Sequence, residues 1–281
     1  MASLKRIRRS AANVVFVGFC YAATAIALAA LAAIVVSLFG QGFGGLDVAI
    51  FTQSTPAPGS KGGLLNAILG SVIMCGMAMV IAVAVGVLAG TWLAEYGRDR
   101  TYAKVVRFVN DVLLSAPSIL IGLFVYEILV APLHGFSALA GAVALAMIAV
   151  PIITRTTEDV LKLQPIALRE SGVALGAAHW TTIRSILWKS AGSGILTGAL
   201  LAFARISGET APLLFTALNN QFLTLKLTKP MASLPVVIYQ FALSAYDDWR
   251  RLAWAGALLI TLAVLGANVL ARFLARERKS S

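Results

Sequence analysis

Glu170-Ser171-Gly172-Val173-Ala174-Leu175-Gly176, running on to Ile186-Leu187-Trp188, is the stretch on which the fold of this chain turns. It sits in the longest charged interval of a hydrophobic sequence, residues 155–189, between two apolar segments that could each cross a bilayer. The spacing predicts a helix, a break at Gly176, and a second helix whose apolar face includes Trp180, Ile183, Ile186 and Leu187. An amphipathic segment of this size between spans either lies on the bilayer surface or is received by a groove on another protein.

The surrounding composition is that of a membrane protein. Hydrophobic residues make up 59% of the 281 residues and charged residues 12%, about half the charge of an average soluble domain. The net charge of +11 does not point to nucleic acid, because of where it falls. Lys5, Arg6, Arg8 and Arg9 precede the first apolar run, and Arg272, Arg276, Arg278 and Lys279 follow the last. Basic residues beside spans mark the cytoplasmic side. The basic start resembles a secretory signal, but residues 14–36 are uncharged throughout, longer than a signal core, so a retained first span is expected. Cys20 and Cys75 lie inside apolar runs far from either histidine, His134 or His179. Neither a disulfide nor a metal site is expected.

A span needs about 20 mostly apolar residues, and six stretches qualify: 14–36, 67–91, 109–130, 136–153, 190–214 and 252–274. The fold class is therefore all-α integral membrane. The loop at 96–107 carries Arg98, Arg100, Lys104 and Arg107, and the loop at 155–189 carries Arg155, Lys162, Arg169, Arg184 and Lys189. Both belong inside with the two termini, which leaves 37–66, the turn at 131–135, and 215–251 outside. The last contains Pro230 and Pro235 and is expected to re-enter or lie on the membrane rather than add a seventh crossing. Gly86 with Gly90, and Gly194 with Gly198, allow close helix approach. Pro117 and Pro151 fall inside spans and predict kinks.

Glu170 and Gly176, with Ile186 and Leu187 beyond, resemble the docking-loop pattern of bacterial ABC-importer permeases, in which Glu-Ala-Ala precedes a glycine and then Ile-x-Leu-Pro. Here Ser171 and Gly172 occupy the alanine positions and Trp188 that of the proline. Asn66-Ala67-Ile68-Leu69-Gly70-Ser71, Gly208-Glu209-Thr210-Ala211-Pro212-Leu213-Leu214, Met231-Ala232-Ser233-Leu234-Pro235 and Asp247-Asp248-Trp249 narrow the likeness to the phosphate-specific branch. The resemblance implies six spans with the type I importer architecture. It divides the chain into an N-terminal region with the first span and outer loop (1–66), a permease domain (67–274) with its ATPase-coupling segment at 165–189, and a basic tail (275–281). It further implies a second, PstC-like permease subunit, two PstB-like ATPase subunits and an external, PstS-like phosphate-binding protein. No Walker-type glycine-rich loop is present, so ATP and Mg belong on the partner ATPase and this chain carries no cofactor and no catalytic residue. Glu170, Ser171, Gly172, Gly176, Trp180, Ile183, Ile186 and Leu187 would face that partner.

An anion such as phosphate cannot enter hydrocarbon bare. Arg205, roughly halfway along the fifth apolar stretch, is the candidate for receiving it, with Glu209 one turn later on the same face. An arginine fork suits phosphate oxygens; Ser207 and Thr210 could add hydroxyl donors. An ion pair that merely locks the helix is the competing reading. Another oxyanion, molybdate or sulfate, is the alternative substrate, and a secondary transporter the alternative machine. Asp111 and Glu127 fall near span ends, and Lys226 and Lys229 in an outer loop, where solvated charges are the expectation.

Overall fold

The computed structural model describes residues 2–97 and 100–277; Arg98, Arg278 and Lys279 lie outside the described residues. Among the described residues twelve helices follow in chain order: α1 (Ala2–Gly45), α2 (Ala49–Thr52), α3 (Leu65–Glu95), α4 (Thr101–Ser115), α5 (Ser118–Val125), α6 (Ala138–Lys162), α7 (Ile166–Ala174), α8 (His179–Thr182), α9 (Trp188–Ser207), α10 (Ala211–Thr216), α11 (Leu234–Ala242) and α12 (Asp247–Glu277). A π-helical turn, Tyr126–Val130, extends α5, and a second, Ile183–Leu187, joins α8 to α9 without a break.

Among the described residues five helical runs are long and apolar enough to cross a membrane: α1, α3, α6, α8 through α9, and α12. The expected third span is not one straight helix. α4 and the run from α5 to Val130 meet at 107°, because Pro117 lacks an N–H and drives the residue before it out of helical geometry; Ala116 is extended, with ψ 135°. The bent pair nevertheless makes one crossing. Arg107 of α4 donates to the Leu93 carbonyl near the end of α3 at 3.1 Å and to Glu158 near the end of α6 at 2.7 Å. α3 and α6 therefore end at the same face, and the chain between Glu95 and Ala138 must return to the other. Six crossings result. Pro151, by contrast, leaves α6 continuous.

α6 is the centre of the bundle, with 67% of its membrane window buried against 0% for α1. Both predicted glycine pairs face it. A Cβ at Gly86 of α3 would stand 2.8 Å from Ile153 Cβ, and one at Gly194 of α9 2.5 Å from Val160 Cγ1. Ala-rich surfaces complete this close packing: Ala78, Ala82, Leu145, Ala149, Ile153 and Ala202 share one buried cluster. α1 joins its own chain only near its end, where Gly42 and Gly45 lie against α12 and Arg251 Nε donates to the Gly44 carbonyl at 2.8 Å.

The fifth span stops sooner than its apolar sequence suggests. α9 ends at Ser207, residues 208–210 are non-helical, and the short α10 follows with Pro212 in its first turn. α11 has nine residues, about 13 Å of helix, too short for a seventh crossing of a core ~30 Å thick. It is folded into the outer end, with Leu234, Val236, Val237 and Phe241 buried.

Candidate functional site

The charged interval at 155–189 builds one end of the site. α7 stops at Ala174, and Gly176 turns the chain at φ +71°, a left-handed conformation that favours glycine. The second helix predicted after this turn is not a separate docking element. It is the beginning of the next span, and its apolar side faces the chain's own interior. Ile183 and Leu187 are completely buried in a cluster with Ala94, Leu161 and Ala191. They present no surface to a partner, and Ile186 is half-buried beside them. Trp180 is exposed and packs edge-on against Trp188, whose Nε1 donates to Thr91 Oγ1 at 3.0 Å.

The surface that remains open belongs to α7 and its flanks. Glu170, Ser171 and Gly176 are exposed, as are four apolar residues outside the predicted set: Leu163, Ile166, Val173 and Leu175, the last 83% exposed. Gly172 is buried, and a Cβ there would overlap the Thr182 side chain. The departure from alanine at this position is thus matched by a threonine across the turn.

Beneath α7 lie two carboxylates absent from the sequence-based candidates. Glu95 and Glu158 each have 1% exposed side chains. Arg169 of α7 donates to Glu95 through Nε at 3.0 Å and Nη2 at 2.7 Å, and also to the carbonyls of Gln164 and Leu161, each at 2.8 Å. That pairing raises the guanidinium pKa above its ordinary value, so the arginine stays charged. Glu158 is held by Arg107 and Lys162. Arginines that sequence patterning treats only as markers of sidedness are therefore also structural partners of buried charge.

The other half of the site is the break after α9. Ile206 and Leu213, on either side of the break, pack in one cluster with Met74 and Cys75. Cys75 is ten residues along α3 from Leu65, about 15 Å of helix rise. Irregular backbone at such depth is tolerated where it is buried in protein or lines a polar cavity. Arg205 is accordingly not mid-helix but in the last turn, beside the break. Its Nη1 lies 3.0 Å from Glu209 Oε1, with the arginine side chain 58% exposed and the glutamate 7%. The distance makes an ion pair, yet Oε1 accepts no well-aligned hydrogen bond. The guanidinium is held by charge, not by its fork, and its donors remain available. Ser207 is buried and donates to the Phe203 carbonyl at 2.7 Å; Thr210 is half-buried at the start of α10. Asp111 and Glu127 are exposed, as expected of charges near helix ends. Among the described residues no group of three His, Cys, Asp or Glu side chains is placed to hold a metal.

The stretches that carry the family resemblance converge above this break. Ser71 Oγ accepts from Leu234 N at 2.7 Å, Met231 N donates to the Ala217 carbonyl at 3.2 Å, and Asn66 Nδ2 donates to the Asn220 carbonyl at 2.8 Å. Trp249 stacks on Phe241 with ring centroids 4.4 Å apart.

A family model described as the binding-protein-dependent transport system inner membrane component matches residues 86–280. The phosphate transport system permease protein PstA of Haemophilus influenzae is 53% identical over 271 residues, 96% of each chain. That of Pasteurella multocida is 55% identical over 239 residues, 85% of each chain. Among solved structures, an inward-facing MetNI methionine ABC transporter superposes with TM-score 0.64 at 18% identity, covering 76% of this chain and 95% of that one. An amino acid ABC transporter superposes at 0.56 with 14% identity, covering 76% and 92%; at these identities the likeness concerns fold alone.

Proposed function

The chain belongs to the family of binding-protein-dependent transport system inner membrane components, and from that premise we propose that it is the permease subunit of an ATP-driven phosphate importer. It forms half of the pathway that carries inorganic phosphate across the inner membrane. The observation that carries this function is the interrupted fifth span, which holds an under-bonded arginine beside irregular backbone at membrane depth. Broken helices of this kind form substrate sites in transporters, and an arginine with free donors suits an oxyanion. The names of the similar chains favour phosphate over molybdate or sulfate.

The chain itself is a transport subunit, not an enzyme. Its proposed companions are a PstC-type permease, two PstB-type ATPase subunits holding ATP and Mg, and a PstS-type external binding protein. α1, none of whose membrane window is buried in its own chain, is free to pack on the second permease. The exposed face of α7 is the proposed ATPase contact, with Glu170, Ser171, Gly176, Trp180, Val173 and Leu175 outermost. Arg205 is the proposed pathway cation and Glu209 its tether.

The complex purified through this chain and reconstituted into vesicles should take up radiolabelled phosphate only with ATP and the binding protein supplied. Uptake without the ATPase would indicate a secondary transporter; equal competition by sulfate or molybdate would move the substrate assignment. Topology is tested separately. In a background lacking Cys20 and Cys75, single cysteines at both termini and in loops 96–107 and 155–189 should label from the cytoplasm. Those in 37–66 and 215–251 should label from outside. Outside labelling at Ser280 is incompatible with six crossings.

A further inference from the structure

We propose that the Arg169–Glu95 pair is the mechanical link through which movement of α7 reaches the membrane-spanning core, both residues acting as positioning residues for transport. The proposal rests on α7 being the ATPase-docking helix. α7 has nine residues, and a helix that short does not hold its place or shape by itself in water. What ties it down is small in number. Leu168 packs on the cluster around Ile183, Gly172 seats on Thr182, and Arg169 reaches inward.

Arg169 joins three elements with one side chain. It stands on α7, grips Glu95 at the end of α3 with two donors, and donates to the Leu161 carbonyl of α6 and to that of Gln164 just beyond. The planar fork fixes direction as well as distance, and a cation at the carbonyl end of α6 matches that helix's dipole. α3 and α6 pack closely through Gly86 and Gly90, so displacement applied to α7 is delivered to the heart of the bundle. A buried ion pair contributes little net stability compared with packed apolar residues. Its gain here is a defined geometry between a docking surface and two spans.

The fold supplies its own control. Glu158 is as deeply buried as Glu95 and lies at the same end of the bundle, but its partners are Arg107 of α4 and Lys162 of α6. Neither partner stands on α7. If burying a paired carboxylate were the only purpose, the two clusters would respond alike to neutralisation. If the first is a link to the motor, they will differ.

The test measures ATP hydrolysed and phosphate taken up by the same reconstituted complexes, normalised to assembled permease. Arg169→Lys keeps the charge and loses the fork; Glu95→Gln keeps the shape and loses the charge. The double change Arg169→Gln with Glu95→Gln strands no buried charge and should assemble within about twofold of wild type. In all three, phosphate moved per ATP should fall roughly tenfold, the scale on which substitutions along such networks alter coupling. The matched double change Arg107→Gln with Glu158→Gln should leave that ratio unchanged, whatever it does to yield. A wild-type ratio in the Arg169/Glu95 double variant, or an equal fall in the Arg107/Glu158 control, overturns the link. Absence of the ATPase from the wild-type complex would overturn the docking role of α7 instead.

Discussion

Arg205→Gln should lower phosphate uptake per assembled complex by about a hundredfold, a loss of ~2.7 kcal/mol, the scale of a charge-assisted hydrogen bond made in transit. The geometry of the pair determines how assembly responds. Glu209 is 7% exposed and Arg205 58%, so the two residues are unequal partners. Removing the arginine leaves a carboxylate in the protein interior with its counter-charge gone, and the yield of Arg205→Gln should drop. Removing the carboxylate leaves a guanidinium that solvent can reach, so Glu209→Gln should assemble normally. The double change to glutamine strands nothing and should restore yield. Uptake separates the two roles. If the pair only locks the helix end, transport returns with assembly in the double variant. If Arg205 serves the path, the double variant assembles yet moves little phosphate, and Glu209→Gln, which keeps the cation, loses less than tenfold. Full transport by the double variant would remove Arg205 from the pathway.

Much of this arrangement is legible in the amino-acid order, and the failures have physical causes. Apolar run length and basic flanks locate every span, and the glycine pairs identify the faces that meet α6. The 107° turn at Pro117 and the continuity of α6 through Pro151 differ because proline sets only local backbone geometry. Whether the helix resumes in line depends on its neighbours. The end of α9 was marked by Gly208 and by Pro212 in the next first turn, signals of stop and restart. They are masked by the long apolar runs that flank this stretch. The face of Trp180, Ile183, Ile186 and Leu187 has genuine helical periodicity, but periodicity reports that a face is buried, not against what. Glu95 and Glu158 were invisible for a related reason: an acidic residue near the end of an apolar run looks interfacial until the arginine that reaches it from another helix is known.

That last distinction produces the second large effect. Val173→Asp and Leu175→Asp should insert and fold normally and yet lose the ATPase. Both side chains are largely exposed, at 69% and 83%, and substitutions at such positions usually shift stability by no more than about 0.5 kcal/mol. As central contacts of a docked helix they would each be worth about 2 kcal/mol or more, a thirtyfold or larger weakening. Glu170→Lys should act in the same direction by reversing an exposed charge on α7. Ile183→Asp and Leu187→Asp should behave in the opposite manner. Each places a carboxylate at a fully buried position among Ala94, Leu161 and Ala191, and the permease itself should fail to accumulate. The measurement is the amount of ATPase recovered with the tagged permease, divided by the amount of permease inserted. A docking surface formed by the whole apolar face of residues 180–187 predicts loss of ATPase from the second pair at normal permease yield. A helix resting on the bilayer predicts no loss from the first pair. Only contact through the outer face of α7 predicts that the exposed aspartates release the motor while the buried ones destroy the subunit.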